Sequence, residues 1–164
     1  MVIWIIGKSG SGKTFFAKKL YKIIKKYNKQ IIWLDGDKFR KKYSYDLGYT
    51  LKDRKKNSKR IQKYCKYYEK RKKIVICSII SIFKEHQKEN RKIYSNYLQI
   101  FVDVRIKKLI ERNNKKIYSK RKNVVGQDLK FPKPYKSDFI INNNFDKKFL
   151  KNTKKIVNKI YEKI

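Results

Sequence analysis

Gly7-Lys8-Ser9-Gly10-Ser11-Gly12-Lys13-Thr14 uses three of the six glycines in the chain. The stretch fits G-x-x-x-x-G-K-[ST]. The apolar run Val2-Ile3-Trp4-Ile5-Ile6 precedes it, and Phe15-Phe16-Ala17-Lys18-Lys19-Leu20 follows as a helix start. That strand–loop–helix setting separates a phosphate-binding loop from a Gly/Ser turn beside an abundant lysine. In such a loop, Gly7, Lys8, Ser9, Gly10, Ser11 and Gly12 curl the backbone so that N–H groups point inward at phosphate oxygens. Lys13 reaches the β- and γ-phosphates, and the Thr14 hydroxyl holds Mg²⁺. The helix N-terminus adds partial positive charge. The expected ligand is a nucleoside triphosphate, with ATP and Mg²⁺ as the cofactors.

Outward from the loop, five short apolar or β-branched runs read as buried parallel strands: Val2–Ile6, Gln30–Leu34, Lys73–Ile80, Leu98–Val104 and Asp138–Ile141. Helical patterns lie between them at Phe15–Tyr27, Leu51–Lys70, Lys84–Tyr94 and Ile106–Arg112. Phe149–Ile160 reads as a packing helix with one apolar stripe. The alternation predicts a three-layer α/β fold with a five-stranded parallel sheet. With 164 residues and no Pro/Gly/Ser-rich linker, a single domain over 1–164 is expected. The polar stretch 114–137 contains both prolines and lacks periodicity, as a functional lid does.

Composition narrows the setting. The first apolar run is about five residues long and lacks a basic segment before it, so neither a signal peptide nor a membrane span is expected. Cys65 and Cys77 lack metal-ligand spacing and suit a reducing, cytoplasmic location, with Cys77 in the core. The formal charge is +34, but the 47 basic residues are spread along the chain and only eight are Arg, the residue that base-edge readout favours. This charge draws polyanions nonspecifically and speeds capture of anionic nucleotides. It does not by itself imply a dedicated nucleic-acid binder.

Ligands in open parallel sheets bind at the carboxyl ends of the strands. Leu34-Asp35-Gly36-Asp37-Lys38-Phe39-Arg40 follows the second strand there. Two carboxylates beside the phosphate loop orient an acceptor hydroxyl or hold water on Mg²⁺; the plainer reading is a helix cap for the next segment. Arg54, Asn57 and Arg60 recur at i, i+3 and i+6, so two or three of them face one ligand from one helix, or they form an ordinary solvated face.

Together these motifs resemble the adenylyl-sulfate (APS) kinases, P-loop kinases that phosphorylate the ribose 3′-hydroxyl of APS. The likeness runs from residue 1 to about residue 142. The family's G-x-S-G-S-G-K-[ST] is Gly7–Thr14, and its D-G-D-x-x-R is Asp35, Gly36, Asp37 and Arg40. L-G-[FY]-x-x-x-D-R-x-x-N-x-x-R is met by Leu47, Gly48, Tyr49, Asp53, Arg54, Asn57 and Arg60. The lid R-D-x-K-G-L-Y is similar to Arg112–Tyr118, and all six glycines fall where the pattern wants glycine.

The resemblance implies that Arg112 joins the ATP site. It implies that Asp35, Arg40, Arg54, Asn57, Ile80 and Ser81 line the acceptor nucleotide, with Tyr49 stacked on its base. Asp37 would orient the 3′-hydroxyl or organise Mg²⁺ with Thr14, and Lys115 would come from the lid to neutralise the transferring phosphoryl group. Ser81 matches a serine sometimes assigned as a phosphorylated intermediate; in-line transfer needs no covalent step, so it is read first as a binding residue. The family's second stacking aromatic is Val124 here, a loss of about 1–3 kcal/mol if base-stacking energies transfer. Ile82, Asn113, Lys116 and Gln87 replace the family's Pro, Asp, Gly and Arg, and Lys8 replaces an apolar residue. The donor side is intact and the acceptor side has drifted.

Two acceptors stay open. APS is the leading one; a cytidine diphosphate derivative, as in the APS-kinase-like cytidine diphosphoramidate kinases of capsule synthesis, suits a clamp that has lost one ring. A third reading, an RNA-binding module with a structural P-loop, is disfavoured by the retained Asp37, Thr14 and Lys115. A homodimer is left open by the sequence.

Overall fold

The computed structural model describes residues 1–112, 118, 122–151 and 153–162. Five strands, β1 (Val2–Ile6), β2 (Ile31–Asp35), β3 (Ile74–Ile79), β4 (Tyr97–Asp103) and β5 (Phe139–Asn142), form one sheet in the order β2-β3-β1-β4-β5. Every pairing is parallel, and β1 sits at the centre with Val2 opposite Val75 on one side and Tyr97 on the other. Side chains alternate across a strand, so β1 feeds two cores. Ile3 and Ile5 join Phe16, Leu20, Ile24, Ile156 and Ile160 on one face. Val2, Trp4 and Ile6 join Phe39, Ile61, Cys65 and Tyr94 on the other. Full burial of side chains such as Leu20 and Ile24 stabilises the fold by about 1.5–3 kcal/mol each.

The helices are α1 (Lys13–Tyr27), α2 (Gly36–Tyr43), α3 (Leu51–Lys70), α4 (Lys84–Ile93), α5 (Ile106–Arg112) and α6 (Thr153–Tyr161). The strand and helix expectations match this architecture with two differences. α2 stands where no helical pattern is singled out, and it begins as the plainer reading of this segment expects, with the Asp35 carboxylate accepting from the Asp37 and Lys38 amides as its cap. The C-terminal helix begins at Thr153, while Lys147–Leu150 form a 3₁₀ turn that buries Phe149 beside Phe16.

Cys65 and Cys77 are both free and buried. Among the described residues no helix is long and apolar enough to cross a membrane. Of the 114–137 stretch, residues 122–137 are largely irregular, with one bridge between Val125 and Leu129.

Candidate active site

The phosphate loop connects β1 to α1, and its shape requires glycine. Gly12 sits at φ 91°, where an added Cβ would lie 2.7 Å from Asn143 Nδ2. Asn143 follows β5, is buried, and donates to the Ser11 carbonyl at 2.9 Å while accepting from the Phe145 amide. It braces the loop from the far side of the sheet. A polar residue directly after a strand was the available signal, and sequence reading passed over it. Gly7 lies so close to the Val102 carbonyl that a Cβ would come within 2.5 Å. No side chain caps α1, so its first-turn amides keep their anion-binding capacity. Lys13 is 8% exposed and crosses the loop to donate to the Lys8 carbonyl at 2.6 Å.

Lys8 points away from the loop's interior. Its ammonium donates to the Val104 carbonyl at 3.0 Å, pairs with Asp103 at 3.4 Å and lies over the Phe131 ring. Lys8 therefore ties the loop to the end of β4 and the chain after Val124. Tyr118, a lid residue, donates its hydroxyl to the Ser9 carbonyl at 2.8 Å, and burial pushes its pKa up to about 12. The Arg112 guanidinium packs over Phe145, 4.2 Å from the ring centre. Lys115 lies outside the described residues.

Asp35 does two jobs. Its Oδ1 accepts from the Asp37 and Lys38 amides at 3.1 and 3.3 Å. Its Oδ2 accepts from the Thr14 hydroxyl at 2.9 Å and faces Ser78 Oγ at 3.4 Å. The residue that touches Thr14 is thus Asp35, whereas Asp37 occupies the first turn of α2, exposed to the same cavity. Among the described residues no three His, Cys, Asp or Glu side chains gather as a metal cage. Mg²⁺ asks for less, taking one or two protein oxygens with waters and substrate phosphates. Thr14 and Asp35 fit that requirement, with Asp37 beside them.

From this pair a cavity of about 310 Å³ extends to the acceptor end. Arg40, Tyr49, Arg54, Asn57, Ile80 and Val124 all line it, as the sequence led us to expect. Arg40 donates to the Gly48 carbonyl at 2.6 Å. Arg54 donates to the carbonyls of Tyr49, at 3.0 Å, and Asn123, at 2.9 Å. Both guanidinium groups lie against the Tyr49 ring, 4.8 and 5.4 Å from its centre. Burial lowers the pKa of each, and Arg40 adds to the lowering at Arg54; both stay protonated at neutral pH. Asn57 is 9% exposed, and its Oδ1 has no hydrogen-bond partner among the described residues. A buried unpaired acceptor is costly, so a donor on the ligand relieves it.

Two expected residues stand apart from this cavity. Arg60 grips Asp46, with Nη2 2.7 Å from Oδ2, and so pins the loop that carries Tyr49 to α3. Ser81 is 3% exposed, does not line the cavity, and faces Gln87 Nε2 with both its carbonyl (3.1 Å) and its hydroxyl (3.4 Å). Gln87 also accepts from the Tyr135 amide at 2.7 Å. Lys41 and Lys122 line the cavity without having been singled out; in a chain this rich in lysine, sequence offers no signal that marks them.

A family profile described as Adenylylsulphate kinase matches residues 1–142. The cytidine diphosphoramidate kinase of Campylobacter jejuni is 36% identical over 151 residues, covering 87% of this chain and 86% of that one. The adenylyl-sulfate kinase of Buchnera aphidicola is 32% identical over 170 residues, covering 99% and 80%. The structure of the Mycobacterium tuberculosis APS kinase in complex with AMPPNP and APS superposes with a TM-score of 0.85 at 23% identity, covering 98% of this chain and 96% of that one. That last likeness is one of fold.

Proposed function

This chain belongs to the adenylylsulphate kinase family, and from that premise we propose that it transfers the γ-phosphoryl group of ATP to the ribose 3′-hydroxyl of adenylyl sulfate. One observation carries the reading: Lys13 and Thr14 of the phosphate loop share a single cavity with Asp37, Arg40, Arg54 and Asn57. Donor and acceptor ends are therefore open to each other, as in-line transfer requires.

In this reading the loop amides and Lys13 hold the β- and γ-phosphates. Thr14 and Asp35 would hold Mg²⁺, which would supply neutralising charge to the phosphates of ATP. Arg40 and Arg54 hold the anionic groups of the acceptor, and Tyr49 stacks on its base. Asp37 orients the 3′-hydroxyl and takes its proton as the oxygen–phosphorus bond forms; the bond to the β-phosphate oxygen breaks and ADP leaves. Lys115 is assigned to the developing charge on the transferred group. Ser81 serves as part of the wall behind Ile80 rather than as a phosphorylated intermediate, because its hydroxyl is buried against Gln87.

A second acceptor has its own support. Val124 stands where the family has a second ring, and the Campylobacter relative is named for a cytidine diphosphoramidate. The deciding experiment is acceptor-dependent ADP release with adenylyl sulfate and with 5′-modified cytidine nucleotides, compared as kcat/KM. Preference for adenylyl sulfate supports the leading assignment. Preference for the cytidine acceptor replaces it, and no acceptor-dependent release from folded, ATP-binding protein removes both.

A further inference from the structure

A lysine occupies position 8 of the phosphate loop, yet its side chain leaves the loop altogether. The Lys8 carbonyl takes the Lys13 ammonium, so its main chain helps to shape the donor end. Its stem runs the other way and packs over Gly126. A Cβ added to Gly126 would lie 3.3 Å from Lys8 Cδ and 3.2 Å from Ile106 Cδ1. The Lys8 side chain is only 16% exposed. Its ammonium is held from three sides, by the buried Val104 carbonyl, by Asp103 and by the face of Phe131. Phe131 in turn stacks on Phe101 of β4, with ring centres 5.8 Å apart. Asp103 is 43% exposed, and an ion pair that open to water contributes little. The hold therefore rests on the buried carbonyl and the ring.

The segment that Lys8 holds is closed on itself. The Val124 carbonyl accepts from the amides of Gln127, Asp128 and Leu129, and the Gly126 amide donates to the Leu129 carbonyl. Asp128 Oδ2 accepts from the Val124 amide. A turn bonded in this way moves as a unit. On its cavity side the Asn123 carbonyl accepts from Arg54, and Asn123, Val124 and Val125 line the cavity. On its other side stands Lys8. One turn is thus gripped both by α3 and by the phosphate loop. Two departures from the APS-kinase pattern meet there, a ring lost at position 124 and a charge gained at position 8. We propose that Lys8 is a positioning residue for the acceptor, a role that rests on the kinase reading above. Its side chain holds the 124–129 turn, and with it one wall of the acceptor end, at a fixed place beside the phosphate loop.

The test compares the full parent chain with Lys8→Met and Lys8→Arg. Methionine keeps an unbranched stem over Gly126 and removes the charge. Arginine keeps a cation that can donate to the Val104 carbonyl and stack on Phe131. Steady-state kinetics are read with adenylyl sulfate and with a 5′-modified cytidine nucleotide. In Lys8→Met the acceptor KM should rise at least about tenfold, the scale of one hydrogen bond from a charged group. The KM for ATP should move less than about threefold, because the loop amides and Lys13 are untouched. Lys8→Arg should stay within about threefold of the parent on both. Hydrogen exchange of peptides covering residues 124–131 needs no turnover. It should speed up at least about tenfold in Lys8→Met, while peptides of β1 keep the parent's rate. An unchanged acceptor KM, an ATP KM that rises as much as the acceptor KM, or unchanged exchange in the turn would each overturn the proposal. If the parent turns over no acceptor, the kinase reading fails by itself, and the exchange rates still decide whether Lys8 holds the turn.

Discussion

At the donor end of the cavity, Lys13 is 8% exposed and the phosphate loop is held by backbone carbonyls and by Asn143. At the acceptor end, Tyr49 is 43% exposed, and two arginines reach across it to carbonyls of neighbouring loops. In the proposed function the donor end reads phosphate through main-chain amides, which every sequence carries, so only the glycines, Lys13 and Thr14 need fixed identities. The acceptor end reads its ligand through side chains, each replaceable by itself. On that reading the difference accounts for an intact G-x-x-x-x-G-K-[ST] beside an acceptor site with Val124 where the family resemblance implies a ring.

The largest effect should come from the donor end. Lys13→Ala should lower kcat by about 10³-fold or more, because phosphoryl transfer rests on positioned charge. Steady-state ADP release on protein with unchanged circular dichroism measures it, and a loss below tenfold would remove Lys13 from the phosphate site.

The two carboxylates of the D-G-D motif sharpen the comparison, because they stand at its boundary. Asp37→Asn should reduce kcat by about 10²–10⁴-fold, the usual worth of a positioned base, with ATP affinity nearly unchanged. Asp35→Asn should raise the Mg²⁺ concentration needed for half-maximal rate with little change in Tm, since Asn caps α2 about as well as Asp, whereas Asp35→Ala should also cost about 1 kcal/mol of stability. If Asp37→Asn instead shifts the Mg²⁺ requirement and Asp35→Asn does not, the roles assigned to the two residues are reversed.

These assignments also mark what sequence reading reaches. The strands are legible because each is a short apolar run buried on both faces, and the phosphate loop because its glycines have no substitute. α2 is not: only Phe39 among its residues is buried, so Gly36–Tyr43 carries no apolar period to detect. The partnership of Thr14 with Asp35 rather than Asp37 depends on which carboxylate faces the loop across the gap between β1 and β2, and spacing alone does not fix that. The contacts of Gln87 and Asn143 are not legible for a similar reason. Each is a buried amide that joins segments distant in sequence, Ser81 to Tyr135 and Ser11 to Phe145.

At the acceptor end, Val124→Phe should restore one stacking contact. If the acceptor base lies between Tyr49 and this position, kcat/KM for the preferred acceptor should rise about 5- to 150-fold, the equivalent of about 1–3 kcal/mol. A fall for a cytidine acceptor together with a rise for adenylyl sulfate would identify Val124 as the residue that sets acceptor choice. Equal small changes for both would mean that the base does not reach it.

The smallest effect tests how firmly the acceptor wall is held from behind. His86 is buried, and its Nδ1 lies 2.8 Å from the hydroxyl of Ser58, the residue after Asn57. Burial, aided by Lys59, lowers its pKa from the ordinary value of 6.5, with Glu85 and Glu89 opposing. The unfolded chain then takes up a proton that the folded chain refuses, so the stability this neutral imidazole permits is fully present above pH 6.5 and is lost as pH falls below it. Because His86 is the chain's one histidine, the slope of Tm between pH 7.5 and 5.5 should be positive and should flatten in His86→Gln. Over the same range the KM for the acceptor should rise in the parent chain and not in the variant, while the KM for ATP stays level in both. A Tm slope unchanged by the substitution would show that the α3–α4 contact tolerates the charge. The acceptor wall would then owe its position to Arg54 and the Arg60–Asp46 pair rather than to the packing behind it.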